Sequence, residues 1–209
     1  MSIVKLNNKA VSNATAFGSI SSLGSMTFIK KLTASGSSTL SFVDGASGVV
    51  LDDTYKEYVF TFKDIHPATT NVGLTFNMSI DGGSNYNVAK TTTAFRAINN
   101  EAGNDDTQLA YQSSLDLAQG TGFQGILNYI SNDNDSCGVG QLTIYSPSST
   151  TFVKHFISVG NTHANFSGGY TMNDYVAGYG NTTSAVNAIR FQMSSGNIDA
   201  GDICLYGIA

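Results

Sequence analysis

Paired carboxylates are the residues of this sequence whose type and spacing come closest to those of a catalytic site. A glycoside hydrolase needs two carboxyl groups that face each other across a sugar, about 5–10 Å apart. Adjacent aspartates in a strand point to opposite faces, and aspartates in loops are usually solvated. We therefore predict that the pairs are solvated parts of surface loops and have no catalytic role. The pairs are Asp52 with Asp53, Asp105 with Asp106, and Asp133 with Asp135.

The last of these pairs could instead bind calcium. The segment SNDNDS, residues 131–136, is rich in the oxygen ligands that calcium prefers. An EF-hand loop that began at Asp133 would need a glutamate at its twelfth position, where the chain has Ile144. A calcium site of another type therefore stays open, with Asp133 and Asp135 as its candidate ligands, and we expect no other metal or cofactor.

The histidines and cysteines show no spacing typical of a metal or nucleophilic site. His66, His155 and His163 do not form an H-x-H or H-x-x-x-H motif. The chain also lacks the G-x-S-x-G motif of serine hydrolases and the P-loop. We expect Cys137 and Cys204 to be free thiols that pack as small apolar side chains, with a disulfide between them as the alternative. We therefore predict that the protein is not an enzyme.

The composition is poor in charge and rich in small neutral residues. Charged residues make up 12% of the 209 residues, about half of the ~25% found in ordinary soluble domains. The ten basic residues are scattered, and the formal net charge is −5. No basic cluster is present to neutralise phosphates, which argues against nucleic acid and against an anionic membrane surface as partners. Such a composition is common in all-β extracellular and virion proteins.

The first 25 residues differ in composition from the rest of the chain. They are rich in Ser, Asn and Gly, with isolated apolar residues such as Val4, Leu6 and Phe17. This pattern predicts an extended N-terminal arm over residues 1–25 that orders against its own domain or a neighbouring subunit. We find neither the apolar core of a signal peptide nor an apolar run approaching the ~20 residues of a membrane helix. We therefore expect synthesis in a cytoplasm.

From residue 26 onward, apolar residues alternate with polar ones at the spacing of strands. The clearest case runs over residues 72–80, where alternation predicts a strand with one face on a core and the other in water. DGGSN follows, and then Tyr86 and Val88, which together indicate a hairpin. We predict ten to twelve short strands and one domain, residues 26–209, an antiparallel β-sandwich that is jelly-roll-like. Further strands are predicted at 27–34, 40–42, 58–63, 126–130, 141–145, 152–159 and 189–193, with a strand pair across 166–179, and 109–118 as a strand pair or a short helix.

Two features indicate contacts between copies of the chain. Residues 203–208 are apolar on both faces, so we expect this strand to be covered on both sides, within a sheet or by another copy. Residues 166–180 are rich in Gly and Tyr, and exposed tyrosines can stack on sugars or pack at interfaces. Because the chain has no Trp, we favour packing between subunits. The predicted interaction residues are Val4, Leu6, Phe17, Tyr170, Tyr175, Tyr179, Tyr206 and Ile208.

Several stretches spread over nearly the whole chain form a recognisable pattern. They are LNNKAVSNATAFGS, DDTYKEYVFTFKDIHPAT, SIDGGSNYN, TAFRAINNEAG, LDLAQGTGF, SNDND, PSSTTFVKHFIS and NTTSAVNAIRFQMSSGNIDAGDICLYGIA. Together they resemble a family of virion-associated proteins encoded by tailed bacteriophages, many of them marine. The strongest piece is SSGNIDAGDICLYGI.

The resemblance implies a structural component of the virion, assembled in the host cytoplasm. It assigns no catalytic residues, and it leaves open whether the protein belongs to the head, the tail or a fibre. The expected partners are other copies of the chain and capsid or tail proteins. The alternative is a glycan-binding module that recognises host-surface polysaccharide through the Tyr- and Gly-rich residues 166–180.

Overall fold

The computed structural model describes residues 26–103, 107–165 and 168–209. Within these residues the chain forms twelve strands and one 3₁₀ turn, Ser113–Leu115. No helix in this part of the chain is long and apolar enough to cross a membrane. The strands are β1 (Met26–Ser37), β2 (Leu40–Val43), β3 (Glu57–Pro67), β4 (Val72–Ser79), β5 (Lys90–Asn100), β6 (Thr107–Tyr111), β7 (Gln124–Ile130), β8 (Gly138–Tyr145), β9 (Lys154–Ala164), β10 (Tyr170–Gly180), β11 (Ala188–Met193) and β12 (Ile198–Ile208).

The strands form two antiparallel sheets. The eight-stranded sheet has the order β1-β12-β3-β8-β9-β10-β5-β6, and the four-stranded sheet has the order β2-β11-β4-β7. Buried side chains from both sheets belong to one large hydrophobic cluster, as expected where two sheets pack face to face. The predicted antiparallel β-sandwich is therefore confirmed. Its jelly-roll-like character stays a prediction, and the predicted arm, residues 1–25, lies outside the described residues.

An aromatic cluster fills the centre of the core. Phe191 on β11 contacts rings from both sheets, with centroid distances between 5.2 and 6.4 Å. These rings are buried because each strand alternates, and the apolar residue of each pair faces inward. The neighbours of Phe191 are Phe42, Phe60, Phe62 and Phe76.

Strand β4 is buried on both faces, so the predicted water-exposed face is wrong. The polar residues Thr75, Asn77 and Ser79 are as buried as the apolar ones that alternate with them. Connecting segments cover this second face, since Asn77 Nδ2 donates hydrogen bonds to the carbonyl oxygens of Tyr86, at 2.7 Å, and Thr121, at 2.9 Å. The alternation therefore predicted a strand correctly but gave no sign of the segments that cover it.

The hairpin predicted after β4 is also wrong. A turn does form at the DGG sequence, where Gly82 and Gly83 have φ values of 70° and 84°. The Asp81 carboxylate links the two sides of this turn, because it accepts hydrogen bonds from Ser79 Oγ at 2.7 Å and from Asn85 N at 2.9 Å. The chain then crosses to the other sheet, because β4 pairs with β11 and β7 whereas β5 pairs with β10 and β6.

Three other predicted segments need new boundaries. The strand pair predicted across 166–179 is a single strand, β10, which begins at Tyr170. The stretch 109–118, predicted as a strand pair or a short helix, contains the end of β6 and the three-residue 3₁₀ helix Ser113–Leu115. Strand β9 begins at Lys154 instead of residue 152 and continues to Ala164.

The apolar strand β12 lies within the eight-stranded sheet, between β1 and β3. Its Ile203 and Leu205 side chains are buried in the core. Cys204, Tyr206 and Ile208 point to the opposite face and are only half-buried. The predicted position in a sheet is therefore confirmed, but within the described residues only one face is fully covered. Cys204, like Cys137, is a free thiol, as predicted.

Candidate functional site

The outer face of the eight-stranded sheet, which points away from the four-stranded sheet, carries most of the exposed large apolar side chains. Antiparallel register places directly opposite residues side by side on one face. One row crosses β6, β5, β10 and β9 as Tyr111, Phe95, Tyr175 and Val159. Phe95 and Tyr175 are stacked, with ring centroids 4.7 Å apart and planes tilted by 6°.

The neighbouring rows add more apolar side chains. Ala177, Ile157 and Thr143 form the next row across β10, β9 and β8. On the other side of the first row, Leu109 and Val139 lie at opposite ends of a row from β6 to β8. The side chains of this group that are 40–73% exposed are Phe95, Leu109, Tyr111, Val139 and Ile157.

This part of the sheet is free of formal charge. Among the described residues, no Asp, Glu, Lys or Arg side chain points outward from β8, β9, β10, β5 or β6. We call the outward side chains of these five strands the neutral face. Monomeric proteins rarely leave an apolar patch of this kind without a partner or ligand. The charged side chains of the outer face lie at the opposite end of the sheet, on β1, β3 and β12; they include Lys31, Glu57, Lys63 and Asp202.

A shallow depression of about 530 Å³ lies within the neutral face. Gly178 on β10 is one of the residues that line it, and an added Cβ atom there would lie only 2.5 Å from the carbonyl oxygen of Thr91. Tyr145 and Tyr179 flank the depression together with His155. The ring centroids of His155 and Tyr179 are 5.9 Å apart. The depression is therefore a mostly apolar surface with aromatic walls.

The structure separates the predicted interaction residues. Tyr175 and Tyr179 belong to the neutral face, whereas Tyr206 and Ile208 lie on the same side of the sheet but on β12, several strands away. Tyr170 is 6% exposed and packs in a small cluster on the opposite face, because it is an odd number of residues from Tyr175 along one strand. Its ring is thus unavailable to a partner on the surface. Val4, Leu6 and Phe17 lie outside the described residues.

Sequence reasoning missed much of the neutral face. Phe95 and Ile157 were not selected, although each occupies the outward position of an alternating strand. The alternation shows that every second residue shares a face, but it does not show which of the two faces points to the core. In the structure the inward residues include the neighbours Arg96 and Ser158. Because these two residues are polar, the sequence gives no sign that they are buried.

The candidate calcium ligands lie in a loop with its own hydrogen bonds. The Asp133 carboxylate accepts hydrogen bonds from Asn165 Nδ2 and from Ser131 Oγ, the latter at 2.9 Å. These two bonds, that of Asn165 first, lower the pKa of Asp133. Asp135 is exposed. Within residues 26–103, 107–165 and 168–209, no group of three or more His, Cys, Asp or Glu side chains is arranged to hold a metal ion.

The same end of the sandwich brings together a serine, a histidine and a carboxylate. Ser136 Oγ lies 2.5 Å from His163 Nδ1, and His163 Nε2 lies 3.4 Å from Glu101 Oε1. A nucleophilic serine must reach the carbonyl carbon of a substrate, whereas Ser136 is 1% exposed. This arrangement therefore favours a structural hydrogen bond over catalysis. Asp52 and Asp53 are exposed in a loop, as predicted, while Asp105 and Asp106 lie outside the described residues.

Comparisons with known proteins leave the function to be argued from the surface. No protein-family model, curated protein or solved structure matches this chain. The neutral face is accordingly the feature from which a function is inferred.

Proposed function

We propose that this protein is a structural component of a tailed-phage virion that attaches as a homo-oligomer, with the neutral face as its main contact surface. The observation that carries the proposal is the set of exposed apolar side chains on one face of five adjacent strands whose outward side chains carry no formal charge. Apolar area without charge is what subunit interfaces bury, whereas substrate sites add converging polar groups to a deep cavity. In this respect the neutral face is like a subunit interface and unlike a substrate site.

The neutral face is large enough for a stable interface. Strands β5, β9 and β10 have eleven residues each, about 35 Å, whereas β8 has eight and β6 has five. At a spacing of about 4.8 Å their combined area is roughly 700 Å², which is close to the ~800 Å² that one partner buries in a standard protein interface. A second copy of the chain could cover this surface and remove the exposed rings from water.

The assignment to a virion is supported by the sequence resemblance described above. A particle protein is assembled in the host cytoplasm and then remains in the virion, so its partners are other copies and capsid or tail proteins. Many weak contacts to a symmetric lattice give strong overall attachment through avidity. The jelly-roll-like connection and the extended arm over residues 1–25 belong to this proposal as well.

Replacing Ile157 by lysine should break the self-association. Ile157 lies in the middle strands of the neutral face and is 49% exposed, so a charge there would be buried without a partner in the oligomer. We expect Ile157→Lys to convert oligomers into monomers in sedimentation-velocity measurements on the full chain. The free energy of unfolding should change by no more than about 0.5 kcal/mol, because the position is on the surface.

Ile80→Lys is the matched control for this experiment. Ile80 is similarly exposed, at 43%, but it lies in the loop after β4, away from the neutral face. Its variant should keep the oligomeric state of the original chain. An original chain that stays monomeric at high concentration, or an Ile157→Lys chain that associates normally, would contradict the role of the neutral face.

The depression beside Gly178 supports a second candidate function, the binding of a host-surface glycan. Its two tyrosine rings and neighbouring threonine hydroxyls could stack on a sugar and bond to it. Tyr179→Ala should then abolish binding on a glycan array, whereas Tyr111→Ala, on the far edge of the sheet, should not. Calcium chelation tests whether Asp133 and Asp135 contribute. An array without signal for the original chain, with and without calcium, would remove this candidate.

A further inference from the structure

A lysine and an asparagine meet in the buried layer on the second face of β4, which connecting segments cover. Lys90 begins β5 of the eight-stranded sheet, and Asn77 belongs to β4 of the four-stranded sheet. Both residues have 0% exposure. Lys90 Nζ donates a hydrogen bond of 2.5 Å to Asn77 Oδ1 and another of 2.8 Å to the carbonyl oxygen of Val88. An amine is thus held against a side-chain amide with water excluded.

The contact brings the amine within attacking distance of the amide carbon. A C=O bond is about 1.2 Å long, so Asn77 Cγ lies no more than about 3.7 Å from Lys90 Nζ. Reacting atoms in productive enzyme complexes are held about 3–3.5 Å apart. A small rotation of either side chain would therefore bring Nζ onto the carbon.

The surroundings of the amide suit the attack. Met78 N donates a hydrogen bond of 2.8 Å to Asn77 Oδ1, which stabilises negative charge as it develops on that oxygen. Asn77 Nδ2 donates to the carbonyl oxygens of Tyr86 and Thr121. These carbonyl oxygens would accept hydrogen bonds from the nitrogen as it becomes protonated and leaves.

The lysine is also suited to act as the nucleophile. No carboxylate is hydrogen-bonded to Lys90 or Asn77 within the part of the chain that the structure describes. Burial disfavours the charged ammonium and lowers the pKa of Lys90 to about 8. Much of the amine is therefore neutral in mildly basic solution, and a neutral, desolvated lysine is nucleophilic.

We propose that Lys90 and Asn77 join in an intramolecular isopeptide bond between β5 and β4. The Nζ lone pair forms a bond to Cγ, the Cγ–Nδ2 bond breaks, and the former side-chain nitrogen leaves as ammonia after taking a proton from Nζ. A neutral lysine amine and a primary amide thus give a secondary amide and ammonia. The reaction needs no oxidant, reductant or other reagent, and it does not depend on the proposed function.

The bond would have a clear mechanical effect. It would fix the start of β5 to β4 and so add a covalent link between the two sheets, which otherwise adhere at this point through side-chain packing and hydrogen bonds. Burial would protect the new amide from hydrolysis, because water has no access to either residue.

Mass spectrometry of the full chain tests the proposal. We expect the denatured protein to be lighter than its sequence by one molecule of ammonia. After digestion with trypsin, Lys90 should resist cleavage, so that Asn77 and Lys90 stay in one peptide, 64–96. A second cut before Asp81, by a protease that cleaves at aspartate, should leave the two parts of this peptide joined as a branched peptide through Asn77 and Lys90. A succinimide at an asparagine gives the same loss of mass, but it leaves Lys90 cleavable and produces no branched peptide.

Three variants sharpen the test. Lys90→Arg should restore the full mass, and Asn77→Asp should lose water instead of ammonia when it forms the same bond. Lys154→Arg is the matched control, because Lys154 is equally buried but its Nζ contacts only backbone carbonyls. It should keep the loss of ammonia and the branched peptide.

The original chain alone can overturn the proposal, even if Lys90→Arg does not fold. It should be incubated in the folded state about one pH unit above the Lys90 pKa, where the amine is mostly neutral. A full mass after long incubation, with normal cleavage at Lys90, would show that the two side chains form only a hydrogen bond.

Discussion

Phe191→Ala should lower the free energy of unfolding by about 3–5 kcal/mol, the usual cost of removing a fully buried phenylalanine. Phe191 is 0% exposed and contacts four other phenylalanine rings. Its removal would therefore leave a cavity at the point where rings from both sheets meet. The flanking strands cannot move into this cavity without breaking backbone hydrogen bonds to their neighbouring strands. Urea unfolding followed by fluorescence or circular dichroism measures the loss.

Phe152→Ala is the control for this prediction. The side chain of Phe152 is 70% exposed in the loop before β9, so its truncation should change stability by no more than about 0.5 kcal/mol. A loss of less than about 1 kcal/mol for Phe191→Ala would show that the core relaxes around the missing ring, contrary to the behaviour expected of a closely packed core.

Asp174→Ala should be comparably damaging, for an electrostatic reason. Asp174 is 1% exposed, and its Oδ1 accepts a hydrogen bond of 2.6 Å from Arg96 Nε. Its Oδ2 accepts hydrogen bonds from Asn128 N at 3.0 Å and Asn128 Nδ2 at 3.1 Å. The carboxylate thus connects β10 and β5 of one sheet to β7 of the other. Truncation leaves a buried guanidinium without its counter-charge, at a cost of about 3–5 kcal/mol.

The exposed ion pair of Lys31 and Asp202 provides the comparison. Its atoms are 3.1 Å apart, but both side chains are accessible to water, so Asp202→Ala should cost less than about 1 kcal/mol. Replacing Arg96 by Met and Asp174 by Leu together should recover much of the loss, because no buried charge then remains unpaired. Equal effects of Asp174→Ala and Asp202→Ala on the urea midpoint would be evidence against this account.

The sequence was sufficient to predict the fold class because alternation is a local property. Leu74, Phe76 and Met78 show the period of a strand whatever lies beside them, and the structure buries all three. The burial of Asn77 could not be predicted in this way, because part of its cover comes from a loop more than forty residues away. The sheet membership of β4 and β5 was missed for the same reason.

The candidate surface shows the same limit. Tyr175 and Tyr179 were selected for their residue type, and the structure places both on the neutral face. Phe95 acquires its significance only from its register with Tyr175 on β10. Arg96 and Asp174 are 78 residues apart in sequence, so neither shows that its charge is buried until the strands are paired. Long-range pairing, which depends on tertiary structure, is the information that a single sequence lacks.

The position of β12 has a consequence for how the sandwich opens. Among the described strands, β1 is at the edge of its sheet and has β12 as its one neighbour, so β12 alone connects β1 to β3 there. If β12 detaches, β1 must detach with it, and the backbone amides of both strands should become accessible to solvent exchange in a single step. The two strands, one from each end of the described chain, thus act as one cooperative unit whose departure would leave β3 as a new, adhesive edge.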